Sequence, residues 1–151
     1  MNSQVYLDCI DDGRVLYIDR EWVWNSEKEC KQLADSKYAD ELQKWMTPNA
    51  QVIVDPSAAS FKVELANRCI WHIDADNEVL EGIKLMSSMF ALGLLKINKR
   101  CTTTISQIGN YCWGDKAIKR GEEKPLKVDD HTVDPVRYIC STKIPAWRLA
   151  A

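Results

Sequence analysis

The chain has 151 residues, the size of one domain with room for a core, and its 46% hydrophobic and 28% charged residues are those of an ordinary globular protein. A net charge of −2 gives the molecule as a whole no attraction for nucleic acid, so any such binding calls for a local basic face. No apolar run reaches the roughly 20 residues of a membrane span, and MNSQVYLDCIDDG lacks a secretory signal, which makes the cytoplasm the expected compartment.

In chain order, VYLDCI and VLYIDREWVW flank Asp11, Asp12 and Gly13, which predicts a β-hairpin. Leu16 and Ile18 alternate with Val15, Tyr17 and Asp19, so one face of the second strand should be covered. NSEKECKQLADSKYADELQKWM is predicted helical, with Leu33, Tyr38, Leu42, Trp45 and Met46 near helical spacing and a stop at Thr47, Pro48 and Asn49. Val52 to Val54 make a short strand ending in Asp55 and Pro56. Ser57 or Ser60 is a candidate cap for the next helix, which carries Phe61, Val63, Leu65 and Ala66. CIWHID reads as a strand, and Asp76 or Asn77 opens a helix that closes near Gly93. LLKIN is a strand, Thr102 to Trp113 a helix, GDKAIKRGEEKPLK a polar loop, and KIPAWRLAA a tail after the last helix. Strands alternating with helices predict an α/β layered domain, with a largely parallel sheet and an antiparallel hairpin at one edge.

The six cysteines, at 9, 30, 69, 101, 112 and 140, show no C-x-x-C spacing and no zinc-finger arrangement with histidine, so free thiols are expected. A glycine-rich phosphate loop is absent from the sequence, which sets a nucleotide-binding reading aside.

Two places concentrate carboxylates. VDDHTVDPVRY puts Asp130, His131 and Asp134 along one face if it is helical. The same acids would equally suit a first helical turn, where they complement the dipole and cap free N–H groups. Asp55 ends the most apolar strand, and sites in parallel sheets gather at the carboxyl ends of strands; Asp-Pro is also a common turn dipeptide.

VIVDPSAASFKVELANR, DADNEVLEGIKLM, LLKINKRC, IGNYCWGDKA and KPLKVDDHTVDPVRY, in that order, resemble successive blocks of the C-terminal nuclease domain of the phage terminase large subunit. The resemblance is to the subfamily of tailed phages and prophages of Gram-positive bacteria, and it runs from about residue 5 to residue 140. It implies that residues 1–151 form one terminase nuclease-like domain of RNase H-like fold, a mixed sheet with helices on both faces. It also implies a metal-dependent endonuclease that cuts concatemeric double-stranded DNA during genome packaging. In the whole protein an ATPase motor, the terminase small subunit and the portal would be its companions. The family's acids hold two Mg²⁺ or Mn²⁺ ions, hard cations that select oxygen ligands. Residue by residue, Asp55 matches the acid ending the central strand, Asp134 the acid on the last helix and His131 the neighbouring histidine, with Asp130 as ligand or helix cap. Asp55 and Asp134 should then converge to within roughly 4 to 8 Å. Lys96, Lys99, Arg100, Lys116, Lys119 and Arg120 could contact phosphates, or simply be a solvated surface.

The chain departs from the family pattern in several ways. The family nuclease begins with a strand ending in an aspartate, usually Asp-x-Gly, just before the segment matching NSQVYLDC. That first acid has no matching position here; Asp8, the nearest, lies inside the following strand. No G-x-x-x-x-G-K-[ST] motor motif occurs. Activity is therefore expected to be weakened or lost, and the competing reading is a non-catalytic remnant that binds DNA or a packaging partner. Pro135 would strain the His131–Asp134 turn if the helix began at Asp130, and would sit comfortably in the first turn if it began near Asp134. Cys69 stands where a glycine is expected, and Gly114 where an acid is expected.

Overall fold

Asp11 Oδ1 accepts from Gly13 N–H (2.9 Å), and Asp12 Oδ1 from the N–H groups of Arg14 (2.9 Å) and Val15 (2.6 Å). With Gly13 at φ +90°, these bonds close the predicted hairpin between β1 (Ser3–Asp11) and β2 (Leu16–Asn25). The structure is a computed structural model and describes residues 3–112 and 130–144.

The hairpin carries a bulge that sequence alternation does not reveal. Asp8 pairs with Arg20 but Cys9 pairs with Ile18, so Asp19 is an extra residue opposite β1. Even-numbered residues of β2 therefore change faces across it. Leu16 and Ile18 enter one core cluster, whereas Trp22 and Trp24 pack against the other.

The next helix, α1 (Asp35–Trp45), starts well after the predicted run at Asn25. Asn25 Oδ1 instead accepts from the N–H groups of Glu27 and Lys28, and Cys30 takes φ +49°, so the side chain and the backbone both hold this stretch in turns. The remaining elements follow the predicted order: β3 (Val52–Val54), α2 (Ala59–Asn67), β4 (His72–Asp74), α3 (Val79–Ala91), β5 (Leu95–Ile97), α4 (Thr102–Cys112) and α5 (Val133–Lys143). Neither Ser57 nor Ser60 caps α2, and α3 has Glu78 at its N-cap, not Asp76 or Asn77. The polar loop at 114–127, with Lys116, Lys119, Arg120 and Gly114, and nearly all of the tail lie outside the described residues.

The strands form two sheets among the described residues, where a single one was expected. One has the order β1-β2-β5, with β1 antiparallel and β5 parallel to β2; the other pairs β3 and β4 in parallel. One core cluster joins Leu16 and Ile18 to Met86 and Met89 of α3, Ile108 of α4 and Val136 and Cys140 of α5. A second joins Tyr6 to Tyr38 and Leu42 of α1, Val54 of β3, and Phe61 and Leu65 of α2. Helices α3, α4 and α5 thus pack on one side and α1 and α2 on the other. No helix of the described residues is long and apolar enough to cross a membrane.

Cys69 occupies the left-handed position that ends α2, with φ +57°. Ile70 N–H bonds to Leu65 C=O (2.9 Å) and Cys69 N–H to Ala66 C=O (3.0 Å), the paired bonds of a left-handed helix cap. A side chain there costs about 1–2 kcal/mol, and glycine returns roughly 0.5–1 of that through its freer unfolded chain. Cys69 is exposed, so no packing is lost on replacement. Cys69→Gly is expected to gain roughly 0.5–1 kcal/mol and raise Tm by about 2 °C; an unchanged or lower Tm would contradict this account of the cap.

The five cysteines whose side chains are described are all free. Burial pushes the thiols of Cys9 and Cys140 up to about 12, and burial followed by the Glu21 charge raises that of Cys101. With a thiolate-specific disulfide reagent, Cys30 and Cys69 should react in the native protein, and Cys9, Cys101 and Cys140 only on unfolding. Rapid native reaction of Cys140 would show that the α5 core opens.

Candidate active site

Asp55 leaves the carboxyl end of β3, and its side chain closes a local turn. Oδ1 accepts from Ser57 N–H (2.8 Å) and Ser57 Oγ (2.7 Å), while Oδ2 accepts from the Tyr138 hydroxyl (2.8 Å) on α5. The turn reading of Asp55 is thus met by its Ser57 bonds, and its position at the end of β3 places it beside the last helix. Burial alone would raise its pKa. The two Ser57 bonds, the Tyr138 bond and the Arg137 charge outweigh this and hold the carboxyl below its usual value. The stability it contributes is thus complete above the unfolded pKa and lost as pH falls through the native one.

Helix α5 supplies the other acids. Its N-cap is Thr132, whose N–H and Oγ1 both bond to Gln107 Oε1 of α4 at 2.8 Å, and Val133 N–H reaches Asp130 C=O (3.0 Å). Pro135 is thereby the third helical residue, in the first turn, where no intrahelical N–H bond is lost. Asp130 and His131 precede the helix and do not share its face with Asp134, which corrects the single-face reading.

Asp134 pairs with Arg137 Nη2 at 3.1 Å; its side chain is 51% exposed while that of Arg137 is 4% exposed. Arg137 also bonds to Asn77 Oδ1 (2.9 Å) and Glu78 C=O (3.3 Å), and its guanidinium lies 4.8 Å from the centre of the Tyr138 ring. Asp55 and Asp134 both act on Tyr138. Its phenol is pushed well above the usual value by burial, then by the hydrogen bond to Asp55, then by the two carboxylate charges, against which Arg137 works. Tyr138 and Arg137 were not singled out by charge pattern. Their signal lies in the motif VDDHTVDPVRY, whose last two residues they are and whose spacing sets Arg137 one turn after Asp134.

Asp55, Asp130, His131 and Asp134 line one cleft of about 1210 Å³, together with Tyr138 and Asp8. Asp8 is held by Arg20 Nε (2.9 Å) and Nη2 (2.7 Å). Of the basic candidates in the described residues, Lys96 and Lys99 are exposed at and after β5. Arg100 is bound to Asp19 at 2.7 Å. None of these three lines the cleft, and β5 lies at the far edge of its sheet from β1.

Magnesium or manganese would demand hard oxygen donors, and Asp55, Asp130 and Asp134 are of that chemistry and line the cleft. Among the described residues no three His, Cys, Asp or Glu side chains converge on one point. The oxygens of Asp55 are engaged by Ser57 and Tyr138, and one oxygen of Asp134 by Arg137.

No protein-family model matches the chain. The terminase large subunit of Escherichia phage T5 is 30% identical over 94 residues, which are 58% of this chain and 21% of that protein. The large terminase of a thermophilic bacteriophage, in complex with ADP, superposes with a TM-score of 0.85 at 34% identity, over 95% of this chain and 37% of that one. Another crystal form of the same thermophilic phage protein gives 0.84 at 34% identity, over 95% and 36%. This chain is homologous to phage large terminases. It spans only part of their length, 21% of the T5 protein and 37% of the thermophilic phage protein. The superposition over 95% of the chain extends to a mixed α/β arrangement with its opening hairpin, shared with that thermophilic large terminase.

Proposed function

We propose that the chain is the nuclease region of a phage large terminase, an RNase H-like C-terminal domain spanning residues 1–151 that acts on double-stranded DNA during genome packaging. In the whole protein its companions would be an ATPase motor, the terminase small subunit and the portal. The observation that supports this reading most directly is that Asp55, at the end of a strand, and Asp134, on the last helix, open onto one cleft in a chain homologous to large terminases. The residues of this chain have separable roles there. Ser57 and Tyr138 keep Asp55 ionised and fixed, and Arg137 orients Asp134. Lys96 and Lys99 are proposed to meet the DNA backbone away from the cleft, together with Lys116, Lys119 and Arg120.

Two-metal phosphodiester hydrolysis needs several carboxylates, because two dications brought together repel. Asp55, Asp134, Asp130 and His131 supply an incomplete set, so these residues should bind one ion weakly, with Mn²⁺ preferred over Mg²⁺ because of the imidazole. The test is relaxation of supercoiled plasmid by the 151-residue chain. Nicking should be undetectable in Mg²⁺ and faint at millimolar Mn²⁺, and Asp134→Ala should abolish it. Brisk cutting in Mg²⁺ that survives Asp134→Ala would reject the site. DNA retention in a shift assay without any nicking would favour a non-catalytic binding module, a reading favoured by the absence of a third converging donor among the described residues.

A further inference from the structure

A second, smaller groove of about 390 Å³ lies on another flank of α1. Asp35, Tyr38 and Leu42 of that helix line the cleft, whereas Lys37 and Glu41 line the groove with Trp22 and Trp24 of β2, Lys31 and Leu33. All of its lining residues fall between positions 22 and 41, and none belongs to β1. A further strand on the outer edge of β1 would stand across β1 from β2 and leave the groove as it is.

The groove exists because the stretch after Asn25 is not helical. The turns held by Asn25 Oδ1 and by Cys30 at φ +49° bring the Lys31 carbonyl back to β2, where it accepts from Trp24 Nε1 (3.0 Å). Lys31 N–H bonds to Ser26 C=O (3.1 Å), and Leu33 N–H to the hydroxyl of the buried Tyr38 (3.4 Å), so this wall is tied down on both sides. Tyr6 stacks on Trp22 with ring centres 4.9 Å apart, and Tyr38 meets the same indole edge-on. Trp24 has no aromatic partner among the described residues, although its Nε1 bond holds the ring in place.

The charges at the rim select the ligand. Glu41 is paired with Lys44 at 2.9 Å, while Lys37 only approaches Asp40, at 3.6 Å with its side chain 69% exposed. Lys31 is exposed and has no ion-pair partner among the described residues. Glu27 and Glu29 stand in the preceding turns and line no part of the groove. An anchored indole beside two ammonium groups offers a π face to a nucleobase and cations to the phosphates that flank it. A duplex keeps its bases stacked on one another and out of reach. We propose that this groove binds an unpaired nucleotide of a nucleic-acid strand, with the base on Trp24 and the adjoining phosphates on Lys31 and Lys37. The inference goes beyond the cutting of DNA at Asp55 and Asp134 and stands whether or not the chain cuts.

The test uses the 151-residue chain in EDTA, so that hydrolysis at the cleft plays no part. A fluorescein-labelled DNA strand of about 15 nucleotides, within the usual site size for single strands, should bind saturably by anisotropy. It should bind at least about fivefold tighter than its own duplex, the worth of one stacked base. The same strand in RNA separates the two sources: equal binding shows that the sugar is not read, weaker binding that the site is built for DNA, and both keep the site. Trp24→Ala should weaken binding at least about fivefold. Lys31→Ala, an exposed position that tests the site even if Trp24→Ala fails to fold, should weaken it too and lower the salt slope of log Kd by about 0.7, the counterions of one phosphate. With 5-iodouracil in the strand, light should cross-link Trp24, as read by mass spectrometry. A duplex bound as tightly as the single strand would overturn the proposal. So would an unchanged Kd in Lys31→Ala, a cross-link wholly outside residues 22–41, or the absence of saturable binding.

Discussion

Arg137→Ala is expected to lower the unfolding free energy by about 3 kcal/mol, read from urea denaturation. The guanidinium makes three hydrogen bonds, to Asn77, Glu78 and Asp134, and the residue is 3% exposed. Its stem packs directly beneath Gly82 of α3, so close that a Cβ built on that glycine would stand 2.7 Å from Arg137 Cγ. Helices α3 and α5 meet through this contact. The charge itself counts for less than the burial suggests, because Asp134 is half exposed and water can replace its partner. Most of the loss is packing and hydrogen bonding, and Arg137→Met, which keeps the stem, should lose only about 1 kcal/mol. A cost below about 1 kcal/mol for Arg137→Ala would show that α3 and α5 do not depend on this residue.

Asp55→Ala should remove the Mn²⁺-dependent nicking expected of the chain, a loss on the order of a hundredfold under enzyme excess. Asp55 ends β3 in the cleft, and Ser57, Tyr138 and Arg137 together hold its carboxyl ionised. Two readouts separate chemistry from folding. Free Mn²⁺, counted by electron paramagnetic resonance during titration, should rise to that of a protein-free sample, while the unfolding midpoint of Asp55→Asn stays within a few degrees of the parent. Retained nicking with intact Mn²⁺ binding would place the metal elsewhere.

Some of this architecture was legible in the sequence because its causes are local. Asp11, Asp12 and Gly13 make a hairpin by their own side-chain bonds and glycine's freedom. Asp55 is visible as the polar end of an apolar run, and the Pro135 ambiguity has only two outcomes, which the Thr132–Gln107 bonds decide. What stayed hidden depends on neighbours distant in sequence or on local bonds that outcompete periodicity. Helical spacing from Asn25 onward was overridden by a single asparagine side chain and a left-handed Cys30. The Tyr138–Asp55 bond joins residues 83 positions apart, and nothing in either segment announces it. The partition of the described strands into two sheets rests on pairing between distant segments, which periodicity does not encode.

The extra residue at Asp19 has a mechanical meaning. Because β2 turns Leu16 and Ile18 to one core and Trp22 and Trp24 to the other, the same ten-residue strand is threaded through both. Neither core can melt without dragging β2 out of register in the other, so heat should dissolve the two as one cooperative unit and not in sequence. Deleting Asp19 would restore simple alternation and deliver the indoles to the wrong side. Strand β1 is threaded likewise, with Tyr6 in one cluster and Leu7 and Cys9 against the other, so the whole hairpin couples the two halves.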